Sequence, residues 1–301
     1  MKNMNLKRIT EFVHAVEKGD LSLLPETSGG ELGELEQAIN RLVSELRTVR
    51  EGGAEQEMLK RDMKISSAIQ LSLLPSSLPE VPGFDLAAFY QPAQEIGGDY
   101  YDLIEIDDDH LGIVVADVSG KSVSGAMFMS ITRNTIRAQS MLTLSPREVL
   151  ERTQSMLLPS MAPGFFVSIF YAVLDKKEGR LSCANAGHPP LLWYRSGEKD
   201  CKWVGSHGVA LGVLRNNESK IGEEQIVLKP NDLVLFYTDG ISETVDEKEN
   251  YFGRDRLGDL AKKVGTPGAS AFLAALRKKL ADFQGAAKQQ DDMTAVVLQR
   301  K

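Results

Sequence analysis

Four acidic positions share one unusual context: each opens or closes a short apolar run. Asp99 follows Gly97-Gly98 and precedes the run Tyr100–Ile106, while Asp117 stands near the end of Leu111–Val118. The acidic turn Asp107–His110 joins the two runs, and the pattern predicts a β-hairpin with Asp99 and Asp117 at the same end. Gly97-Gly98 lets the backbone bend sharply before the first strand. Further on, Asp232–Asp239 reads as a buried strand ending in Asp-Gly, and Asp291-Asp292-Met-Thr precedes the run Ala295–Leu298. An isolated Asp is a common turn former. Carboxylates brought together, however, repel unless a cation sits between them, and an all-oxygen site favours hard ions such as Mg²⁺ or Mn²⁺ over zinc.

Other chemistries find little support. His14, His110, His188 and His207 show no His-x-x-x-His spacing, and Cys183 and Cys201 form no Cys-x-x-Cys pair. A disulfide framework and a thiolate zinc site are therefore not expected. Gly205–Leu214 holds glycines without the Lys-Ser/Thr partner of a nucleotide loop. Asp107-Asp108-Asp109 lies on a turn rather than after a buried strand, which argues against an aspartyl-phosphate nucleophile. His188, in Asn185-Ala-Gly-His-Pro-Pro190, is expected to be a turn residue hydrogen-bonded to backbone rather than a general acid.

Those acids need strands to carry them and helices to cover the strands. The chain of 301 residues is long enough for about two domains, and its net charge of −7 disfavours a nucleic-acid or anionic-membrane surface. The longest nearly apolar run, Phe165–Leu174, is far short of the roughly 20 residues that span a bilayer. The opening Met-Lys-Asn-Met-Asn lacks a signal-peptide core. With two cysteines and no disulfide framework indicated, the reducing cytoplasm is the expected location. Ile9, Phe12, Val13 and Val16 mark one helical face, and Leu35, Ile39, Leu42, Leu46 and Val49 form a heptad seam. Met58 to Leu73 resumes helical spacing until Pro75 stops it. Beyond Phe84 the pattern is α+β. Helices are predicted over Ser124–Met141, from the capping box Ser145-Pro146-Arg147-Glu148, and over Arg254–Val264 and Ala269–Phe283. Strands are predicted over Phe165–Leu174, Arg180–Asn185, Leu191–Arg195, Ile226–Leu228 and Thr294–Leu298, giving two packed sheets flanked by helices.

Five motifs in order then carry a resemblance. Gly-Gly-Asp-Tyr-Tyr-Asp at 97–102, Ala-Asp-Val-Ser-Gly-Lys at 116–121, Asn185-Ala-Gly-His-Pro-Pro190, Tyr237-Thr-Asp-Gly-Ile241 and Asp291-Asp-Met-Thr294 resemble the bacterial SpoIIE/RsbU-like branch of the metal-dependent (PPM-type) Ser/Thr protein phosphatases. The resemblance runs from about Gly83 to Lys301 and implies a four-layer αββα sandwich at 83–301. It implies two Mn²⁺ or Mg²⁺ ions, with Asp117 bridging them and the Val118 carbonyl a further ligand. Asp239 and Asp291 would hold the second ion, and Asp99 would complete the ring. Spacing leaves Asp291 and Asp292 open as the ligand; the Asp-x-Met-Thr pattern favours Asp291. Glu243 falls where a third, weaker ion is sometimes held. The implied nucleophile is a hydroxide bridging the metals, with Asp117 and Asp239 as catalytic residues. The implied substrate is a phosphorylated STAS-type anti-sigma-factor antagonist.

Residues 1–50 resemble a HAMP domain, although no transmembrane helix precedes them, and 51–82 read as a linker or regulatory helix ending in Leu73-Leu74-Pro75. A homodimer through the N-terminal helices is expected. The chain departs from the family at Ser122-Val-Ser-Gly125-Ala126, where Gly-x-Pro-Ala-Ala is common, which bears on switching rather than on ligands. The alternative function is a non-catalytic dimeric signalling module that uses a phosphatase fold to bind.

Overall fold

The computed structural model describes residues 64–301 apart from 121–122, 162–163, 206–207 and 215–220, together with residues 22, 37, 39–44, 61 and 63. The chain divides into compact units Met1–Met63 and Lys64–Lys301, a boundary inside the expected linker. Of the HAMP-like helices and heptad seam, only residues 37 and 39–44 are described, and they are helical. The rest of that expectation, like Lys121, Ser122 and His207, lies outside the described residues. Among the described residues no helix is long and apolar enough to cross a membrane.

Among its described residues the second unit has ten strands. One sheet has the order β1 (Phe84–Gln91), β10 (Met293–Arg300), β9 (Leu233–Tyr237), β6 (Leu191–Arg195), β7 (Asp200–Val204). The other runs β2 (Asp99–Glu105), β3 (His110–Val118), β4 (Val167–Asp175), β5 (Arg180–Ala186), β8 (Glu223–Val227). All the pairings are antiparallel.

Burial explains why these strands read as unbroken apolar runs: both faces of each sheet are covered. In β3, Leu111, Ile113 and Val115 point into the core between the sheets, where they join Phe170, Val234, Phe236 and Val296. The alternate residues Val114, Ala116 and Val118 face outward into a second core. That core is closed by α1 (Val123–Ser140) and α2 (Pro146–Leu157). On the far side, α4 (Gly253–Val264) and α5 (Ala269–Gln284) cover the first sheet through Leu257, Leu260, Phe272 and Leu276. A single turn, α3 (Asp239–Ser242), follows β9. The layers are helices, sheet, sheet, helices, as expected.

The capping box at α2 is half formed. The Ser145 hydroxyl accepts from Glu148 N at 3.3 Å, but the Glu148 carboxylate turns to Thr143 Oγ1 and Arg152. The strand expected from Phe165 begins at Val167, and β1 and β7 have no counterpart in the sequence reading. The helix over residues 64–73 stops before Pro75 as expected, yet its apolar positions Ile65 and Ile69 are exposed while Gln70 is buried.

Candidate metal centre

Asp99 and Asp117 face each other in the β2–β3 register. Such partners lie about 4.5–5.5 Å apart at Cα, so the two carboxylates share one end of the hairpin. Gly98 makes the approach possible: any Cβ there would collide with the Val118 carbonyl and crowd Asp117 Oδ1 at 3.2 Å. Val118 N donates to Gly98 O at 3.2 Å and fixes the turn against β3.

Asp99 forms the floor. It is 2% exposed, and its Oδ2 accepts from the Thr238 and Thr294 hydroxyls, each at 2.7 Å. Burial, and then the Asp117 carboxylate beside it, hold the Asp99 carboxyl well above the usual range against the opposing pull of the two threonines. Asp117, Asp239 and Asp291 are half-buried, with Asp117 opposite Asp99 and Asp239 next to the Thr238 that donates to Asp99. Asp239 opens α3, and a Cβ at the next residue, Gly240, would collide with the Asp292 carbonyl, so the Asp-Gly turn sits directly on the 291–292 turn.

The adjacent acids have different tasks. Asp292 is 3% exposed; its Oδ1 accepts from Ala93 N and its Oδ2 from Gly98 N, both at 2.7 Å. That carboxylate is committed to holding the 93–98 loop. Asp291 accepts from Asp292 N at 2.8 Å and stays on the rim.

His188 pins the two sheets beside the acids. Its Nδ1 accepts from the Ser168 hydroxyl at 2.8 Å, and its Nε2–H donates to the Tyr237 carbonyl at 3.1 Å. Ser168 is the β4 partner of Asp117, and Tyr237 lies two residues before Asp239. Asn185 closes the turn, with its Oδ1 accepting from His188 N at 2.7 Å and its Nδ2 donating to His188 O at 2.8 Å. The backbone-bonded turn residue expected from sequence is thus also an inter-sheet tie. Burial pushes its pKa down to about 3. A histidine depressed from an unfolded value near 6.5 contributes stability above that value, and loses it as pH falls toward the folded value, because the unfolded chain takes up the proton first. Between pH 6.5 and 4.5 the protein is expected to lose about 2 kcal/mol more than His188→Gln, read from urea midpoints. Parallel pH profiles for the two proteins would refute this.

The remaining expected residues lie at the margin. Glu243 is exposed one turn beyond Asp239, its N–H donating to Asp239 O at 2.7 Å. Leu73 and Leu74 pack half-buried on the core beneath α1 and α2, with Pro75 half-buried after them. Thr238, Thr294 and Gln70 were not anticipated. The two threonines flank the acids within Thr-Asp-Gly and Asp-Met-Thr, so their adjacency was the available signal.

Among the described residues no three His, Cys, Asp or Glu side chains converge into a finished ligand group. The fit to a cation rests instead on the like-charged pair Asp99 and Asp117, brought face to face and half or wholly buried, in an all-oxygen donor set. That arrangement suits a hard divalent ion.

A family model described as Stage II sporulation protein E (SpoIIE) matches residues 107–301. Protein IcfG of Synechocystis is 25% identical over 97% of this chain, which spans 50% of that protein's length. The phosphoserine phosphatase RsbU of Bacillus subtilis is 26% identical over 83% of this chain and 72% of its own. Among solved structures, the SiaA PP2C domain of Pseudomonas aeruginosa has a TM-score of 0.72 at 22% identity, covering 82% of this chain and 99% of that one. RsbX in complex with magnesium has a TM-score of 0.56 at 14% identity, covering 75% and 99%. The two structural likenesses speak for the fold. The matched sequence takes in β3, β9 and β10 with Asp117, Asp239 and Asp291, well over half of the chain, and the chain belongs to the SpoIIE family.

Proposed function

We propose that this protein is a divalent-metal-dependent phosphatase that removes phosphate from a serine or threonine of a partner protein. The observation that carries the reading is the Asp99–Asp117 pair in register, with Thr238 and Asp292, the sequence neighbours of Asp239 and Asp291, bonded to Asp99 and to the Gly98 amide. Asp117 and the Val118 carbonyl would hold one ion, and Asp117, Asp239 and Asp291 a second, with Mg²⁺ and Mn²⁺ the matching ions. The full commitment of Asp292 to backbone amides supports Asp291 as the ligand of that pair. When bound, the ions supply an activated water as nucleophile and neutralise charge on the leaving alkoxide. The chain's own part is positional. Thr238 and Thr294 orient Asp99, Asp292 holds the Gly98 amide, and His188 ties β4, the neighbour of the strand that bears Asp117, to the end of β9 that leads to Asp239.

RsbU is named a phosphoserine phosphatase, which supports phosphoserine as the target class. The specific substrate we infer is a phosphorylated STAS-type regulator, with the N-terminal helices forming a homodimer that sets activity. The test is hydrolysis of p-nitrophenyl phosphate and of a phosphoserine STAS protein by the full chain. Turnover that disappears on chelation and returns with Mn²⁺ is expected. Turnover indifferent to chelation, or none on either substrate with Mn²⁺ bound, overturns the reading in favour of a binding module.

A further inference from the structure

The helix over residues 64–73 is inside out. Ile65, Ile69 and Leu71 are 52%, 59% and 48% exposed, whereas Gln70 is 3% exposed. Burying a primary amide is unfavourable unless both its donor and its acceptor find partners. Gln70 finds both on one residue. Its Oε1 accepts from Gly97 N at 3.1 Å, and its Nε2 donates to Gly97 O at 2.5 Å. The side chain thus pairs with Gly97 as a neighbouring strand would, across 27 residues of sequence.

Gly97 is held from other sides as well. A Cβ there would collide with the Tyr90 hydroxyl and approach Asp292 Oδ2, so the peptide is wedged between β1 and the 291–292 turn. The next residue gives its N–H to Asp292 and its carbonyl to Val118 N, and the one after it is Asp99. A shift at Gly97 therefore passes within two residues to the floor of the acidic centre. Without Gln70, both polar groups of Gly97 lose a partner in a place where little water can replace it.

We propose that Gln70 is a positioning residue that holds the Gly97-Gly98-Asp99 turn in the geometry that admits the cation, so that docking of the 64–73 helix and divalent-metal affinity are linked. The inference rests on the metal-dependent reading above. Linkage makes the coupling reciprocal: if the docked helix favours metal, metal favours the docked helix.

The experiment uses the full chain. Gln70→Met keeps length and volume but removes both bonds, while Ser72→Ala changes the exposed side of the same helix, where the hydroxyl bonds only to Ile69 O. Mn²⁺ binding by calorimetry is expected to weaken roughly 10–100-fold in Gln70→Met, the range for residues that orient metal ligands, and not to change in Ser72→Ala. Saturating Mn²⁺ should bring kcat of Gln70→Met back toward wild type while the metal dependence stays shifted. The second arm needs no variant: in the wild-type chain, amide exchange across residues 64–73 should slow when Mn²⁺ is added. Unchanged Mn²⁺ affinity in a folded Gln70→Met, or exchange in 64–73 indifferent to Mn²⁺, overturns the proposal. A wild-type chain that binds no Mn²⁺ overturns the metal-dependent reading itself, which separates the two failures.

Discussion

Replacing Asp117 by Asn is expected to lower metal-dependent turnover by about 10³-fold or more while raising the melting temperature of the metal-free protein. The two effects share a cause. A bound cation stabilises developing charge by several kcal/mol, and each ~1.4 kcal/mol is tenfold in rate, so loss of the ligand proposed to bridge the ions should remove about three decades. In the absence of metal the same carboxylate is a burden. Burial already disfavours charge on Asp99, and Asp117 adds repulsion across the β2–β3 pair. Asn keeps the shape and removes the repulsion, for a gain of about 1 kcal/mol, or about 2–4 °C in a domain of this size. Scanning calorimetry without metal, beside kinetics with Mn²⁺, reads both numbers. A variant that loses activity and melts lower would show Asp117 to be a fold residue rather than part of a charged centre.

The largest stability effect is expected three residues beyond Asp99 on β2. Asp102 is 1% exposed there and grips α1 through Arg137, with Nε to Oδ2 at 2.6 Å and Nη2 to Oδ1 at 2.7 Å. Arg133 adds an ion pair at 3.4 Å. Breaking a buried pair from one side costs about 3–5 kcal/mol, because the surviving charge keeps its desolvation penalty. Arg137 is 41% exposed and Arg133 remains, so Arg137→Met should cost less, about 2 kcal/mol, and the Arg133→Met/Arg137→Met pair the full amount. Adding Asp102→Leu to the double variant should recover most of the loss, since a wholly apolar contact leaves no stranded charge. Urea unfolding of the three variants beside wild type decides this. A double variant as stable as wild type would mean that the clasp contributes nothing to holding α1 on the sheet.

How much of this was legible in the sequence follows from which residues speak locally. The β2–β3 hairpin did, because Leu111 to Val118 is long, apolar on both faces and separated from Tyr100–Glu105 by one acidic turn. The four-layer order came from resemblance and from strands alternating with capped helices. β1 and β7 were silent for different reasons. Asp85, Ala87 and Ala88 dilute the apolar pattern of β1, whereas Asp200, Cys201 and Lys202 give β7 the composition of a surface loop. Both gain their identity from the strands they pair with. The split between Asp291 and Asp292 was not readable by spacing, since it depends on amides some 190 residues away at Ala93 and Gly98. Gln70 was invisible for the same reason. On a helix flanked by Ile65 and Ile69 a polar residue reads as solvent-facing, and Gly97 alone reverses that.

The pairing of β1 with β10 has a mechanical side. Phe84 at the start of one strand lies opposite Arg300 at the end of the other, and Lys301 N donates to Gly83 O at 2.8 Å. Tension applied between Pro82 and Lys301 would load that ladder one rung at a time, in a zipper rather than a shear. The rungs open from Phe84 toward Gln91, whose side chain reaches Gln289 at 2.7 Å, next to the acidic turn. A pull at Pro82 would therefore peel an edge strand whose far end adjoins the acidic turn at 291–292.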